Sequence, residues 1–140
     1  MKLRRGRVPA DVGGGFVAGE AVALQTAFAG ALTPAERRSP DPVRVDLSLE
    51  TEGGGRVVVV CRNHVVGFVP PSHEQSLLAQ VAAAGRARLE TSGQMYREAE
   101  GWWRLWVGPP RAGHFPAPEP GADTLGEPTR RIFGLALPDD

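Results

Sequence analysis

Residues 57–71 limit what this chain can fold into more than any other stretch of the sequence. They read Val-Val-Val-Val-Cys-Arg-Asn-His-Val-Val-Gly-Phe-Val-Pro-Pro. Two runs rich in β-branched residues, separated by the polar triplet at 62–64, are typical of a β-hairpin. The first run is apolar on both faces, which indicates a strand buried inside a sheet or barrel. We expect the second strand to stop at Pro70, because proline has no amide hydrogen to donate to the ladder.

Two segments have the periodicity of amphipathic helices. Over residues 21–32, apolar side chains recur at three- and four-residue steps. We expect this helix to end just before Thr33-Pro34, because proline disfavours helical geometry in the residue that precedes it. A second helix is predicted after the hairpin, with Ser72 as its N-cap and Gly85 as the residue that ends it.

Alternation of apolar and polar residues predicts the remaining strands. It is clearest over residues 43–50 and recurs at 86–91 and 102–107, and a short apolar strand is expected at 16–18. Together these elements predict the α+β class. The expected architecture is a small OB-like or SH3-like antiparallel β-barrel of about five to six strands with two helices.

One domain accounts for most of the 140 residues. We expect residues 1–15 to be a flexible basic N-terminal segment and residues 16–108 to form the barrel. Residues 109–140 are expected to be a Pro/Gly-rich C-terminal tail. The tail carries an apolar patch at 132–137, Ile-Phe-Gly-Leu-Ala-Leu, which we expect to dock on the domain or to bind a partner.

Charge and cysteine content exclude several classes of protein. Lys+Arg and Asp+Glu both number 16, so no global field steers the chain to a polyanion, and any nucleic-acid site has to be a local patch. Cys61 is the only cysteine, which rules out an internal disulfide. No apolar run approaches the length of a membrane span, and no signal-peptide region follows the basic start. We therefore expect a cytoplasmic protein without membrane contact.

Three short motifs resemble the HIRAN domain family. Val66-Gly67-Phe68-Val69-Pro70, followed by a helix, resembles the family's Val-Gly-Tyr-hydrophobic-Pro element. Residues 39–45 stand where the family carries its Asn-Pro-x-Asp element, of which Asp41 is kept. Residues 17–20, Val-Ala-Gly-Glu, resemble the opening of HIRAN-like proteins of actinobacteria. The resemblance covers roughly residues 16–108 and implies an OB-like barrel that grips single-stranded DNA ends, with Asp41 and Phe68 near the contact.

The first candidate site is a face of the last strand that carries Trp102, Arg104 and Trp106, here called the aromatic/arginine face. Arg86 and Arg88 are expected on a neighbouring strand. Aromatic rings that stack on bases and guanidinium groups that neutralise phosphates are the equipment of a single-strand binder. The alternative is that a helix or the 132–137 patch covers the two tryptophans, since such rings also seal the edge of a small core.

Metal binding and catalysis find little support in the sequence. Cys61 and His64 have the spacing of a zinc-ligand pair, but the second pair is absent and His114 is far downstream. His64 is better explained as a hairpin-turn residue, and His73 as a residue at the start of a helix. The carboxylates are scattered, and Ser72 lacks the glycines of a nucleophile elbow. We therefore expect no metal, no cofactor and no enzymatic activity.

These observations predict a non-enzymatic module that binds single-stranded nucleic acid or DNA ends through the aromatic/arginine face. The alternative is a protein–protein interaction module that engages a partner through exposed tryptophans and the C-terminal tail. Salt distinguishes the two, because phosphate-driven affinity falls steeply with ionic strength while burial of apolar surface hardly changes.

Overall fold

Seven strands and three helices form within the part of the chain that the computed structural model describes, residues 6–112 and 114–121. In chain order they are β1 (Arg7–Pro9), β2 (Phe16–Val17), α1 (Val22–Ala31), α2 (Pro34–Arg38), β3 (Val43–Thr51), β4 (Val57–Cys61), β5 (His64–Phe68), α3 (Pro71–Ala84), β6 (Arg88–Arg97) and β7 (Trp103–Val107). The strands form one sheet in the order β2-β7-β6-β3-β4-β5, with β1 also paired to β6. Only the β1–β6 pairing is parallel among these ladders.

The sheet curls until its two ends meet. The amide of Gly19, just after β2, donates to the carbonyl of Phe68 in β5 over 2.8 Å, and the Phe68 amide donates back over 2.9 Å. Because β2 and β5 are the outermost strands of the order, this bridge joins the ends of the sheet. The predicted α+β class with a small antiparallel barrel is therefore confirmed, and α2 and β1 are additions to the expected elements.

The valine-rich hairpin forms as predicted. Its strands are β4 and β5, and Arg62 and Asn63 make the turn between them with φ angles of 49° and 70°. Positive φ at both central residues is the geometry of a type I′ turn, whose twist matches that of the flanking strands. Val57, Val59 and Cys61 are completely buried, because β4 lies inside the sheet between β3 and β5.

The core fills the inside of the barrel. The inward-facing residues of β3 are Val45, Leu47 and Leu49, as their alternation predicted. The other large buried side chains come from the remaining strands and from α1 and α3, and they include Phe16, Phe28, Val66, Leu77, Leu89, Met95, Trp103, Leu105 and Val107.

The two predicted helices have nearly the expected bounds. Helix α1 ends at Ala31, before Thr33-Pro34, and Gly85 ends α3 with a φ of 59°. The prediction that Ser72 is the N-cap of α3 is wrong. Pro70 occupies that position and makes no side-chain cap bond. Pro71 then starts the helix, at a position where a missing amide hydrogen costs nothing.

Helix α2 was not expected, although its start carries a recognisable signal. The Thr33 hydroxyl accepts from the Glu36 amide over 3.1 Å, and the Glu36 carboxylate accepts from the Thr33 amide over 2.9 Å. This reciprocal pair is a capping box, and Pro34 at the first helical position supports it. The helix fixes the loop that leads into β3.

The described parts of the two end segments make contacts with the barrel. Strand β1 lies beside β6, where the Arg88 amide donates to Gly6 and the Ala10 amide donates to Glu90, both over 2.8 Å. Val12 is buried in the core. Residues 109–112 and 114–121 pack against the sheet and α3, as described below. The apolar patch at 132–137 lies outside the described residues.

Candidate functional site

The aromatic/arginine face exists, but the start of the C-terminal tail covers it. Only 3 % of Trp106 is exposed, and its indole nitrogen donates to the Pro109 carbonyl over 2.8 Å. The Arg111 guanidinium lies 4.9 Å from the centre of the Trp106 ring, and the Phe115 ring lies 6.3 Å away at a tilt. The sequence allowed a helix or the 132–137 patch as the cover; among the described residues, the contacts on Trp106 come from loop residues such as Pro109, Arg111 and Phe115, and the 132–137 patch lies outside these residues.

The other two residues of this face are also constrained. Arg104 is only 5 % exposed, and its Nε lies 3.0 Å from the Glu98 carboxylate. Trp102 is partly buried in the turn between β6 and β7, where its carbonyl accepts from the Glu98 amide over 2.9 Å. With the tail in place, therefore, Arg104 and Trp106 do not present free groups to a ligand.

The remaining predicted site residues lie in separate places. Arg86 is exposed in the turn before β6, and Arg88 is exposed at the start of that strand. Phe68 lies on β5 beneath the Arg56 guanidinium, which is 3.7 Å from the centre of its ring. The prediction grouped these residues because a sequence does not show which face of each strand points to the solvent.

Arg88 belongs to a broad groove of about 660 Å³ on the outer side of the sheet. The groove has both signs of charge, contributed by Arg7, Arg44, Arg62, Arg88, Asp46, Glu50 and Glu90. Two of these arginines are already paired: Arg7 lies 3.7 Å from Glu90, and Arg62 lies 2.7 Å from Glu36 of α2. Mixed and partly paired charges do not favour a polyanion over other ligands.

Asp41 lies in a different cleft, at the end of the barrel where β3 begins and β6 ends. This end cleft has a volume of about 360 Å³. The loop at 39–42 forms one side of it, and Tyr96, Arg97, Trp103 and Phe115 form the rest. Three aromatic rings, a guanidinium and a carboxylate therefore converge on one concavity.

The rings of the end cleft are held by direct stacking. Tyr96 and Phe115 are nearly parallel, with ring centres 4.0 Å apart and an interplanar angle of 8°. The Arg97 guanidinium lies 4.6 Å from the centre of the Trp103 ring, which stacks on Phe28 of the core at 5.9 Å. Contacts of this kind fix ring orientation in addition to burying area.

The loop that carries Asp41 is positioned by α2. The Ser39 amide donates to the Glu36 carbonyl over 3.1 Å at the end of that helix. The Ser39 hydroxyl then accepts from the Asp41 amide over 3.1 Å and donates to the Asp41 carbonyl over 3.2 Å. This short turn leaves Asp41 exposed at the mouth of the cleft, where its carboxylate can accept hydrogen bonds.

Tyr96 has a perturbed acidity because of its position. Burial raises the pKa of its hydroxyl to about 12, and the negative charges of Glu98 and Glu20 act in the same direction, whereas Arg104 acts against them. The hydroxyl therefore stays protonated across the physiological range and can donate a hydrogen bond.

The candidate metal ligands do not come together. Among the residues that the structure describes, no group of three His, Cys, Asp or Glu side chains could hold a metal ion. His64 packs against Gly30, where an added Cβ would lie 2.6 Å from the imidazole, and His73 lies 4.6 Å from the Phe16 ring. Cys61 is buried, and desolvation raises the pKa of its thiol.

Of the residues around the end cleft, only Asp41 was singled out from the sequence. Tyr96 and Trp103 were not singled out, and Phe115 lies in a stretch without periodicity. Trp103 is 8 % exposed at the open end of the core. The rings come together because β6 extends as far as Arg97, which pairs with Trp103 of β7.

In the described part of the chain no helix has the length and apolar character needed to cross a membrane.

Comparison with known proteins adds no identification. No protein-family model, no curated protein and no solved structure matches this chain.

Proposed function

We propose that this domain is a non-enzymatic module that binds single-stranded nucleic acid or DNA ends, with the end cleft as the base-binding part. The observation that carries the proposal is the convergence of Asp41, Arg97, Tyr96 and Trp103 on one cleft of about 360 Å³, where the Phe115 ring stacks on Tyr96 as a base would. Binding of single-stranded DNA ends is also the activity that the resemblance of residues 16–108 to HIRAN domains implies.

The chemistry of the end cleft suits a nucleotide. A base stacked on an aromatic side chain gains about 1–3 kcal/mol, independently of its identity. Arg97 is exposed beside the rings and can neutralise a phosphate. Asp41 can accept from an exocyclic amino group of a base, as acidic side chains do in base recognition. Stacking, charge and hydrogen bonding are therefore available within one cleft.

The charge of the chain argues for a short ligand or a strand end. Acidic and basic residues number 16 each, and the end cleft offers one arginine. With one or two phosphate contacts, the logarithm of affinity should fall against the logarithm of salt with a slope of about −0.7 to −1.4. A steep slope would instead indicate a long electrostatic track.

Two substitutions test the cleft directly. Arg97→Ala should weaken binding of a labelled single-stranded oligonucleotide about tenfold at low salt, and Asp41→Asn should change its base preference. Arg88→Ala is the matched control, because it removes an exposed arginine of the same strand outside the cleft. Fluorescence polarisation measures all three. Equal losses at Arg97 and Arg88, or no binding by the unmodified chain, would refute the assignment.

One observation favours the alternative, a protein-interaction module. The domain already holds a peptide, its own residues 114–121, with Phe115 stacked on Tyr96 and Glu119 bonded to Ser72. A partner with an aromatic residue ahead of an acidic one would fit the same surface. A synthetic peptide of residues 109–121 added in trans probes this reading. Peptide affinity that hardly changes with salt, with no oligonucleotide binding, would favour it over the nucleic-acid proposal.

A further inference from the structure

The start of the C-terminal tail forms a strap across the sheet, defined here as residues 109–112 and 114–121. It is tied to β6 by Gln94, whose side-chain amide donates to the Arg111 carbonyl over 3.1 Å and accepts from the Arg111 amide over 2.8 Å. The Trp106 bond to Pro109 adds a second attachment. The strap thus lies on the outer side of β6 and β7, over the aromatic/arginine face.

The strap then places two different groups in two adjoining sites. The Phe115 ring stacks on Tyr96 in the end cleft. Four positions later the Glu119 carboxylate reaches the N-terminus of α3, where it accepts from the Ser72 amide over 3.0 Å and also from the Ser72 hydroxyl. The amide groups and dipole at a helix N-terminus favour an anion. Glu119 therefore satisfies one backbone donor at a helix start where the N-cap residue, Pro70, makes no side-chain cap bond.

A flat ring followed by an anion is also what a nucleotide presents. The strap fills the ring position on Tyr96, in the cleft to which the nucleic-acid proposal assigns the bases, with Phe115. It places an anion, the Glu119 carboxylate, at the N-terminus of α3, where the Ser72 amide could equally receive a phosphate. Its removal would leave the outward faces of Trp106 and Tyr96 without the cover of Pro109 and Phe115. The aromatic/arginine face and the end cleft would then form one continuous surface.

The strap is held by contacts that a ligand can replace. Residues 109–112 and 114–121 have no helical or strand assignment, and most of them are exposed. Each of its side-chain hydrogen bonds is worth about 1 kcal/mol net, and somewhat more where a carboxylate is involved. Stacking of a base would compensate for the loss of the Tyr96–Phe115 stack.

We propose that the strap is an internal competitor, which occupies the nucleic-acid surface through Phe115 and Glu119 and is displaced when a single strand binds. This inference rests on the proposed function and adds regulation to the same site. Any event that weakens the hold of Glu119 on Ser72 should then raise the affinity for single strands.

The test uses the full chain with the substitution Glu119→Gln, which keeps the side-chain shape and removes the charge. The first readout is the ultraviolet titration of Tyr96, the only tyrosine of the chain. Release of the strap should lower the pKa of its hydroxyl from about 12 towards the ordinary value of 10. The second readout is the affinity for a labelled oligothymidine of about ten nucleotides, which should rise about five- to tenfold.

Two further variants keep the test decisive. Glu52→Gln removes an exposed charge from the β3–β4 turn, at the opposite end of β3 from the end cleft, and should change neither readout. Phe115→Ala removes the stacked ring and should also raise the affinity, with circular dichroism melting used to show that the barrel remains folded.

The outcomes separate this inference from the proposed function. Equal affinities of the unmodified and Glu119→Gln chains would overturn the competitor role and leave nucleic-acid binding in place. A gain in affinity without a change in the Tyr96 titration would also overturn it, because loss of a negative charge alone would explain the gain. Weaker binding by a folded Phe115→Ala chain would make the strap part of the site. No oligonucleotide binding by any variant would overturn both proposals.

Discussion

Tyr96 lies where the sheet, the end cleft and the strap meet. Its ring stacks on Phe115, and its neighbour across the ladder on β7 is Arg104. Because it is the only tyrosine of the chain, its ionisation can be followed without interference from other phenols. A single side chain therefore reports on the burial of the candidate site.

We expect the stability of the protein to fall between about pH 10 and pH 12 because of Tyr96. Its pKa is about 12 in the folded chain and has the ordinary value of 10 when exposed, so the folded state binds more protons in this range. The free energy of unfolding then decreases as pH rises. Urea unfolding at several pH values measures the slope. Tyr96→Phe should remove that contribution, and an unchanged slope in this variant would contradict the assignment.

At the scale of residues, the sequence could predict which face of a strand carries a side chain, but not which residues cover that side chain. Alternation separates Leu105, which lies in the core, from Arg104 and Trp106 on the opposite face. Pro109 and Phe115 cover part of Trp106, and they lie in a Pro-rich stretch that has no period to interpret; Gly15 also packs closely against the indole ring. Asp41 was predicted near the contact from the family resemblance, whereas its aromatic neighbours depend on how far β6 extends, which a local pattern does not fix.

Among the elements, α2 connects several parts of the fold although it has only five residues. It begins with the Thr33 capping box, and its Glu36 also pairs with Arg62 of the β4–β5 turn at 2.7 and 3.2 Å. Arg62 donates in addition to the Ala31 carbonyl at the end of α1 over 2.9 Å. One short helix thus connects the first helix, the central hairpin and the loop of Asp41.

The Glu36–Arg62 pair should make stability depend on acid pH. Hydrogen bonds from Arg62 and from the Thr33 backbone lower the pKa of the Glu36 carboxyl from 4.5 to about 2. A lowered folded pKa stabilises the protein above the unfolded value, and that contribution is lost as pH falls from about 5 to 2. Because both side chains are partly exposed, Glu36→Gln should cost about 1 kcal/mol at neutral pH and almost nothing near pH 2.

Chemical unfolding at neutral and acid pH checks this dependence. Glu52→Gln, in the exposed β3–β4 turn, is the control and should change stability little at either pH. A cost at Glu36 that is the same at both pH values would show that packing, and not the ion pair, accounts for the effect.

Elements with strong periodicity could be predicted from the sequence, and short ones could not. Strand β3 and the β4–β5 hairpin follow directly from alternation and β-branched runs. Strand β1 has only three residues and takes its hydrogen bonds from the edge of β6, so its existence depends on tertiary structure. Helix α2 was the avoidable omission, because Thr33 and Glu36 have capping-box spacing.

At the scale of the whole molecule, the ends of the barrel sheet meet at a point where space is limited. The bridge between Gly19 and Phe68 lies next to Gly67, and an added Cβ on Gly67 would be 2.7 Å from the Cβ of Ala18 and 3.1 Å from the Glu20 carboxylate. Gly67 is therefore required for the two ends of the sheet to approach each other.

Gly67→Ala should destabilise the protein by about 2 kcal/mol, since the backbone near Ala18 has to move to admit the methyl group. Gly53→Ala is the matched control, because Gly53 lies in an exposed turn with nothing within 4 Å of its added Cβ. Its stability should remain within about 0.5 kcal/mol of the unmodified chain. Urea unfolding measures both variants, and similar values for the two would show that closure is less tight than described.

The global architecture could be predicted as a small barrel, but the order of its strands could not. The pattern of strands and helices was sufficient for a small α+β barrel. Which strand neighbours which depends on contacts far apart in the sequence, such as the pairing of Phe16 with Val107. The packing of residues 114–121 has the same cause, because Ser72 gives no local sign that it binds Glu119.

The pairing of β2 with β7 also has a kinetic consequence. Strands β2 and β7 are adjacent in the sheet although most of the described chain separates them in sequence, so β2 lacks its partner strand until β7 has been synthesised. Segments so far apart in the sequence make contact only after a long loop has closed, and the entropy cost of that closure slows folding. A ribosome-bound chain that has emerged only as far as α3 therefore holds an unfinished barrel, with Phe16 and Val17 still exposed to solvent or to chaperones.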